Sequence, residues 1–277
     1  MQLATTTPRW EADLLLEFQN RDQRTVIAQR QHKGPLVVQK PFYPEGNPCH
    51  IYLLHPPGGL VGGDCLTLNV NLQQGSHTLI TTPGAAKFYR SAGPVATQTQ
   101  NFAVSKDALL EWLPQETIAF NNTNAFIHST VNLDPGAKFI GWEITCLGRR
   151  ASGEPFNAGS FTQKLEIYID KKAALIERAL FQGSSKLLSA AWGLANHPTV
   201  GTMIVTPADQ PLVTSIREQV QAAAPELFSV TLMNEVMVCR YLGAQAETAK
   251  HLFTKVWEIA RPRLQNIKVC IPRIWST

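Results

Sequence analysis

Three glutamates occupy positions where strand alternation calls for apolar side chains. Over residues 173–181 one face carries Ala173, Leu175, Glu177, Ala179 and Phe181, and Glu177 is its only polar member. Glu111 sits likewise between Leu109 and Leu113, and Glu143 shares a face with Phe139, Gly141, Thr145 and Leu147. A carboxylate on an apolar face costs free energy unless a donor pairs with it or it lines a wet cavity. Each acid is therefore satisfied by a neighbour such as Arg178 or by backbone donors, or lies on a strand whose opposite face is the core, or is part of an internal polar path. Nothing in the spacing fixes the distance between them, so they do not declare a catalytic pair.

Metal ligands and phosphate loops are the other chemistries to weigh. Cys49, His50, His55, Cys65 and His77 fall in one stretch and suggest zinc or nickel. Alternation places His50 and His55 on opposite faces of one unbroken strand, and no short-spaced ligand pair occurs. Any metal contact there is expected to be transient, and without a histidine-rich tail the chain does not store metal in bulk. The segment Pro83-Gly84-Ala85-Ala86-Lys87 is the nearest approach to a phosphate loop. It lacks the second glycine and the hydroxyl residue after the lysine, and Gly-x-Ser-x-Gly and His-Glu-x-x-His are also absent. The densest motif is His55-Pro-Pro-Gly-Gly-Leu-Val-Gly-Gly-Asp64. Its glycines permit positive φ and close approach of backbones. It reads either as a tight strand connection or as a rigid loop on which a partner packs. On the second reading His55, Gly58, Gly59, Gly62, Gly63 and Asp64 are the partner-loop candidates.

The elements that must position these residues are mostly strands. Period-two alternation between Gly, Pro, Asn and Asp punctuation predicts strands over 10–20, 25–32, 36–40, 50–55, 65–72, 77–82, 97–104, 109–113, 126–133 and 138–147. Two more, over 163–170 and 173–181, form a hairpin about Asp170-Lys171-Lys172. Residues 229–242 read as a strand or strand pair. A helix is expected over 211–224, opened by Pro211 and stopped by Pro225. A second is expected over 244–260, with Leu252, Phe253, Val256 and Ile259 on one stripe and Pro262 beyond its end. No linker interrupts the pattern, so residues 1–277 are expected to form one mainly β domain with two late helices.

Composition narrows the function classes. The 277 residues are 44% hydrophobic, which supplies a large core and excludes intrinsic disorder. The net charge of +4 is not gathered into any basic cluster, so no nucleic-acid partner is expected. No apolar run reaches the length of a membrane span, and residues 1–10 lack the basic and apolar regions of a signal peptide. Five widely spaced cysteines without a Cys-x-x-Cys pair fit a reducing compartment. A cytoplasmic protein is expected.

His55-Pro-Pro-Gly-Gly-Leu-Val-Gly-Gly-Asp64, followed by Leu79-Ile-Thr-Thr-Pro-Gly-Ala-Ala-Lys-Phe-Tyr-Arg-Ser91, resembles the urease accessory protein UreD (UreH) family. Leu110-Glu-Trp-Leu-Pro-Gln115, Cys146-Leu-Gly-Arg149 and Pro272-Arg-Ile-Trp275 extend the resemblance over nearly the whole chain. The resemblance implies stacked, helicoidally wound β-sheets with two helices and no catalysis. It implies a scaffold or chaperone that acts with UreF and the GTPase UreG on urease apoprotein during assembly of its dinuclear nickel centre. GTP is then used by UreG, nickel is brought by UreE, and the chain has no cofactor of its own. By motif, Lys87, Glu143 and Glu177 are the implied nickel-passage residues. The alternatives are a β-fold enzyme with a buried acidic site, for instance on carbohydrate, and an interaction module with no metal role. Sugar clefts expose aromatic rings, whereas Trp112, Trp142 and Trp257 fall in core patterns.

Overall fold

The computed structural model describes residues 10–276. The expectation that residues 1–9 hold no targeting signal lies outside the described residues. In chain order the first strands are β1 (Glu11–Arg21), β2 (Arg24–Lys33), β3 (Val37–Val38), β4 (Cys49–Leu54), β5 (Cys65–Leu72), β6 (His77–Thr81), β7 (Ala86–Phe88) and β8 (Ala96–Val104). There follow β9 (Leu109–Trp112), β10 (Thr117–Ala119), β11 (Thr123–Leu133), β12 (Lys138–Leu147), β13 (Gly159–Ile169), β14 (Lys172–Gln182) and a single-turn helix, α1 (Lys186–Ser189). The chain continues through β15 (Thr199–Thr206), α2 (Gln210–Gln219), β16 (Leu227–Met233), β17 (Val236–Gly243) and α3 (Ala246–Gln265).

The strands sort into two stacked sheets. The first has the order β14-β13-β11-β8-β5-β1-β2, and the second β16-β17-β15-β12-β9-β6-β4-β3, with β10 joining β12 to β7. Successive strands from β4 to β13 pass back and forth between the sheets, so the chain coils like a solenoid and its central strands are parallel. Alternation then sends one face of each strand into the space between the sheets. Leu14, Leu66, Val70, Phe102, Val131 and Phe161 fill that space from the first sheet. The outer face of the second sheet meets a third layer, where Ile140, Trp142 and Met203 pack on Leu212 and Ile216 of α2 and Phe253 and Val256 of α3. The expected fold class, mainly β in stacked coils with two late helices, is the one observed.

Differences from the sequence pattern have local causes. The hairpin at 170–172 forms as expected, with Asp170 and Lys171 both at positive φ. Strand β15 carries no prediction because Met203, Ile204 and Val205 are all buried, which hides the period of two. Helix α2 stops at Gln219, short of 224, because Val220 leaves the helical region. Helix α3 runs past Pro262 to a left-handed cap at Asn266, whose N–H donates to the Pro262 carbonyl at 2.8 Å. No helix among the described residues is long and apolar enough to cross a membrane.

The helix layer is pinned by a buried ionic network. The fully buried Arg261 guanidinium donates from Nη1 and Nη2 to the two Glu45 oxygens at 2.8 and 2.6 Å, and from Nε to Glu111 Oε1 at 3.0 Å. It also donates to the Lys268 carbonyl. His50 lies 2.6 Å from Glu45, His77 lies 2.6 Å from Glu111, and Trp257 Nε1 donates to the second Glu111 oxygen. Burial alone would raise both carboxyl pKa values. The histidine and arginine partners outweigh it, lowering Glu111 and bringing Glu45 down to about 2. Glu111 is thus a paired structural acid facing α3.

Removing the arginine would leave the buried Glu111 and the partly buried Glu45 with only their histidine and tryptophan partners. The Arg261→Met variant should lose about 3–5 kcal/mol of stability, measured by chemical denaturation at pH 7. Because the folded pKa of Glu45 is depressed, its contribution is complete above about pH 4.5 and fades as pH falls toward 2. An Arg261→Met variant as stable as the parent at pH 7 would refute this account of the helix layer.

Candidate functional site

The one-for-one register of the first sheet aligns residues from successive coils into rows. One inward row reads Leu14, Leu68, Gln100, Ser129, Leu165, Glu177, and its neighbour reads Ala12, Leu66, Gln98, Ile127, Gln163, Ala179. In the facing sheet Glu143, Thr202, Arg240 and Ser229 stand side by side on β12, β15, β17 and β16. Polar side chains from both sheets therefore meet along a seam that runs from the apolar core, at the buried Gln100 and Ser129, out to the exposed Arg240 and Ser229.

Two chambers lie along that seam. The first, about 500 Å³, is bounded by Gln98, Gln100, Trp112 and Thr117 together with Lys87 and Glu143. The second, about 550 Å³, is bounded by Thr202, Ser229, Glu177, Arg240 and Glu143. Glu143 and Gln163 belong to both walls, so they form the waist between the chambers. Of the three residues implied by the resemblance, Lys87 lines the first chamber, Glu177 the second, and Glu143 the wall that the two share.

The waist is an unusual place for a carboxyl group. Ser129 Oγ donates to Glu143 Oε1 at 2.5 Å and Gln163 Nε2 donates to Oε2 at 3.3 Å, while Thr145 Oγ1 holds Gln163 Oε1 at 3.0 Å. These donors are neutral. Burial therefore dominates and pushes Glu143 up to about 7; the Ser129 hydrogen bond opposes the rise and the Glu177 charge adds to it. Near neutrality this group exchanges a proton readily. Gln100 and Trp112 line the first chamber, and their buried Oε1 and Nε1 atoms have no hydrogen-bond partner among the described residues.

Glu177 is not the lone polar group that its strand pattern suggests. Arg240 Nη1 reaches across from β17 to both of its oxygens, at 2.7 and 2.9 Å. The pair joins the two sheets at the far end of the second chamber, where both side chains are partly exposed. Ser129, Gln163, Gln100 and Arg240 were not among the candidates read from the sequence. Gln98 and Gln100 on the inward face of β8 carried a signal, since they alternate into apolar positions beside Phe102 and Val104. Arg240 carried none, because its partner is 63 residues away.

The glycine-rich loop packs mainly on its own chain. A Cβ at Gly59 would come within 2.4 Å of the Tyr89 ring, and one at Gly62 within 2.2 Å of Ser91 Oγ. Leu60 N–H donates to the Lys87 carbonyl at 2.7 Å, tying the loop to the strand that borders the first chamber. Asp64 is buried, and accepts from the Val61 N–H at 2.9 Å and the Trp10 N–H at 3.3 Å. Gly58 and Gly63 take the positive φ that the motif allows. His55 borders the first chamber, where burial lowers its pKa against the pull of Asp64. Among the described residues no cluster of three or more His, Cys, Asp and Glu side chains could hold a metal ion. Of the ligands suggested by the sequence, His50 and His77 are engaged in the ionic network, and burial raises Cys49 to about 11.

Comparison with known proteins places the chain in a family. The family model described as UreD urease accessory protein matches residues 11–276. A protein of Pseudomonas entomophila named urease accessory protein UreD is 42% identical over 270 residues, covering 98% of this chain and 95% of its own. One of the same name from Citrobacter koseri is 41% identical, covering 99% and 94%, and urease accessory protein UreD 2 of Brucella anthropi is 43% identical, covering 97% and 98%. With a family match and relatives that both span nearly its full length, the chain belongs to the UreD family of urease accessory proteins.

Proposed function

We propose that this chain is a non-catalytic cytoplasmic scaffold, acting as one domain, that gives nickel a protected route into urease apoprotein. The observation that carries the reading is the pair of adjacent chambers that share Glu143 and Gln163 as wall residues, with Lys87 on the first and Glu177 on the second. UreF and the GTPase UreG are the proposed partners in the complex, and UreE the proposed nickel donor. Nickel is cargo on this reading and makes no lasting bond here. Carboxylate, amide and hydroxyl oxygens hold Ni²⁺ more loosely than thiolate or imidazole sets, which suits transit. A charged waist lowers the cost of moving a cation through an apolar interior, and a proton on Glu143 is readily exchanged for it.

Two variants test the route. Glu143→Ala combined with Glu177→Ala should assemble with the partners on gel filtration yet cut nickel content and urease activity after co-expression by about tenfold or more. Full nickel loading by this double variant would end the passage reading. Glu143→Gln tests the energetics. The folded pKa of Glu143 is raised, so the folded chain keeps a proton that the unfolded chain releases, and stability declines as pH rises from about 4.5 to 7. At pH 8 the Gln variant should therefore be as stable as the parent or more so, by about 1–3 kcal/mol, while activating urease poorly.

The scaffold role has its own test. Leu180, Trp192 and Leu227 are exposed on a chain in which only 17% of residues are charged. Produced alone, the chain should aggregate, and co-expression with UreF should restore it to the soluble fraction. A lone chain that stays monomeric at high concentration would remove the obligate-partner part of the proposal.

A further inference from the structure

Three charged side chains face the second chamber: Glu143, Glu177 and Arg240. Glu143 and Arg240 lie in one row of the second sheet with Thr202 between them, while Glu177 projects from the first sheet. The Glu177–Arg240 contact therefore crosses the gap between two sheets whose strands β14 and β17 share no hydrogen bonds. A single guanidinium nitrogen, Nη1, makes both contacts, and Glu177 is the only partner of that guanidinium among the described residues. The pair sits at the solvent end of the chamber, with 47% of the Arg240 side chain and 30% of the Glu177 side chain exposed.

We propose that Arg240 is a displaceable counter-cation at this mouth, and that a divalent cation enters or leaves by replacing it on the Glu177 carboxylate. The inference rests on the passage reading above and adds the element that closes the passage. An ion pair in this much water is held weakly, so a doubly charged ion competes with it effectively. Once released, the guanidinium is free to turn outward and be hydrated, because nothing else holds it. The hydroxyls of Thr202 and Ser229 and the second acid, Glu143, supply further oxygen donors along the same wall. While Arg240 is in place its positive charge also repels free cations. Access then favours a cation handed over at the mouth over one arriving from bulk solution.

Equilibrium dialysis of the full-length chain against Ni²⁺ at low ionic strength tests this directly. Arg240→Gln should tighten Ni²⁺ binding at least tenfold over the parent. Arg240→Lys, which keeps the charge, should bind like the parent, and Arg240→Gln with Glu177→Gln should lose the gain. Arg240→Met serves as a second neutral variant in case the Gln substitution folds poorly. Parent-like binding by both neutral variants would overturn the inference, as would a gain that survives removal of Glu177. The two readings fail separately. If neutral variants gain Ni²⁺ while Glu177→Gln alone still activates urease fully, the counter-cation role stands and the passage reading falls. If Glu177→Gln abolishes activation but neutral Arg240 variants gain nothing, the counter-cation role falls.

Discussion

The interior seam exists because the parallel ladder of the first sheet keeps a one-for-one register through five strands. In that ladder a side chain is stacked on the residue at the same level of the next coil. A slip of one residue would turn Gln100 or Ser129 outward and bring Asn101 or Thr130 into the core. The apolar rows above and below the polar ones hold the register, since Leu16, Val70, Phe102, Val131 and Ile167 all lose their burial if it slips. The polar groups between the sheets are thus held in place by a hydrophobic constraint from adjacent rows.

The second sheet treats its buried acids in two opposite ways. Glu111 faces the helices and is surrounded by cationic and indole donors, so it stays ionised and contributes stiffness. Glu143, one strand away on the other face, receives only a hydroxyl and an amide, so its charge is poorly supported. Swapping those surroundings would fix a permanent charge in the chambers and leave the helix layer without its clasp. The difference in partners, more than the depth of burial, separates the structural acid from the one at the waist.

Much of this was legible before any coordinates. Alternation located the strands from β1 to β14, other than β7 and β10, within a few residues, and it put Glu143 on the face with Phe139, Gly141 and Thr145 that does look between the sheets. It also singled out Glu111, but a single strand cannot reveal whether its apolar face meets a sheet or a helix. Strand β15 was invisible because burial on both sides erases the period, and β7 and β10 are only three residues each. Arg240 was beyond reach for a different reason: its significance arises from a partner on another sheet. The glycine motif gave the correct positions for close approach, but which surface approaches is a tertiary fact, and for Gly59 and Gly62 it is the chain's own 87–94 loop.

The coil geometry also sets a length scale. The seam runs across the strands, so successive side chains along it, Gln100, Ser129, Leu165 and Glu177, come from successive strands of the first sheet. Neighbouring strands are about 4.8 Å apart, so these four levels span about 14 Å. The interior is therefore ruled in steps like the rungs of a ladder, each rung a different coil, and an extra coil would lengthen it by one whole rung.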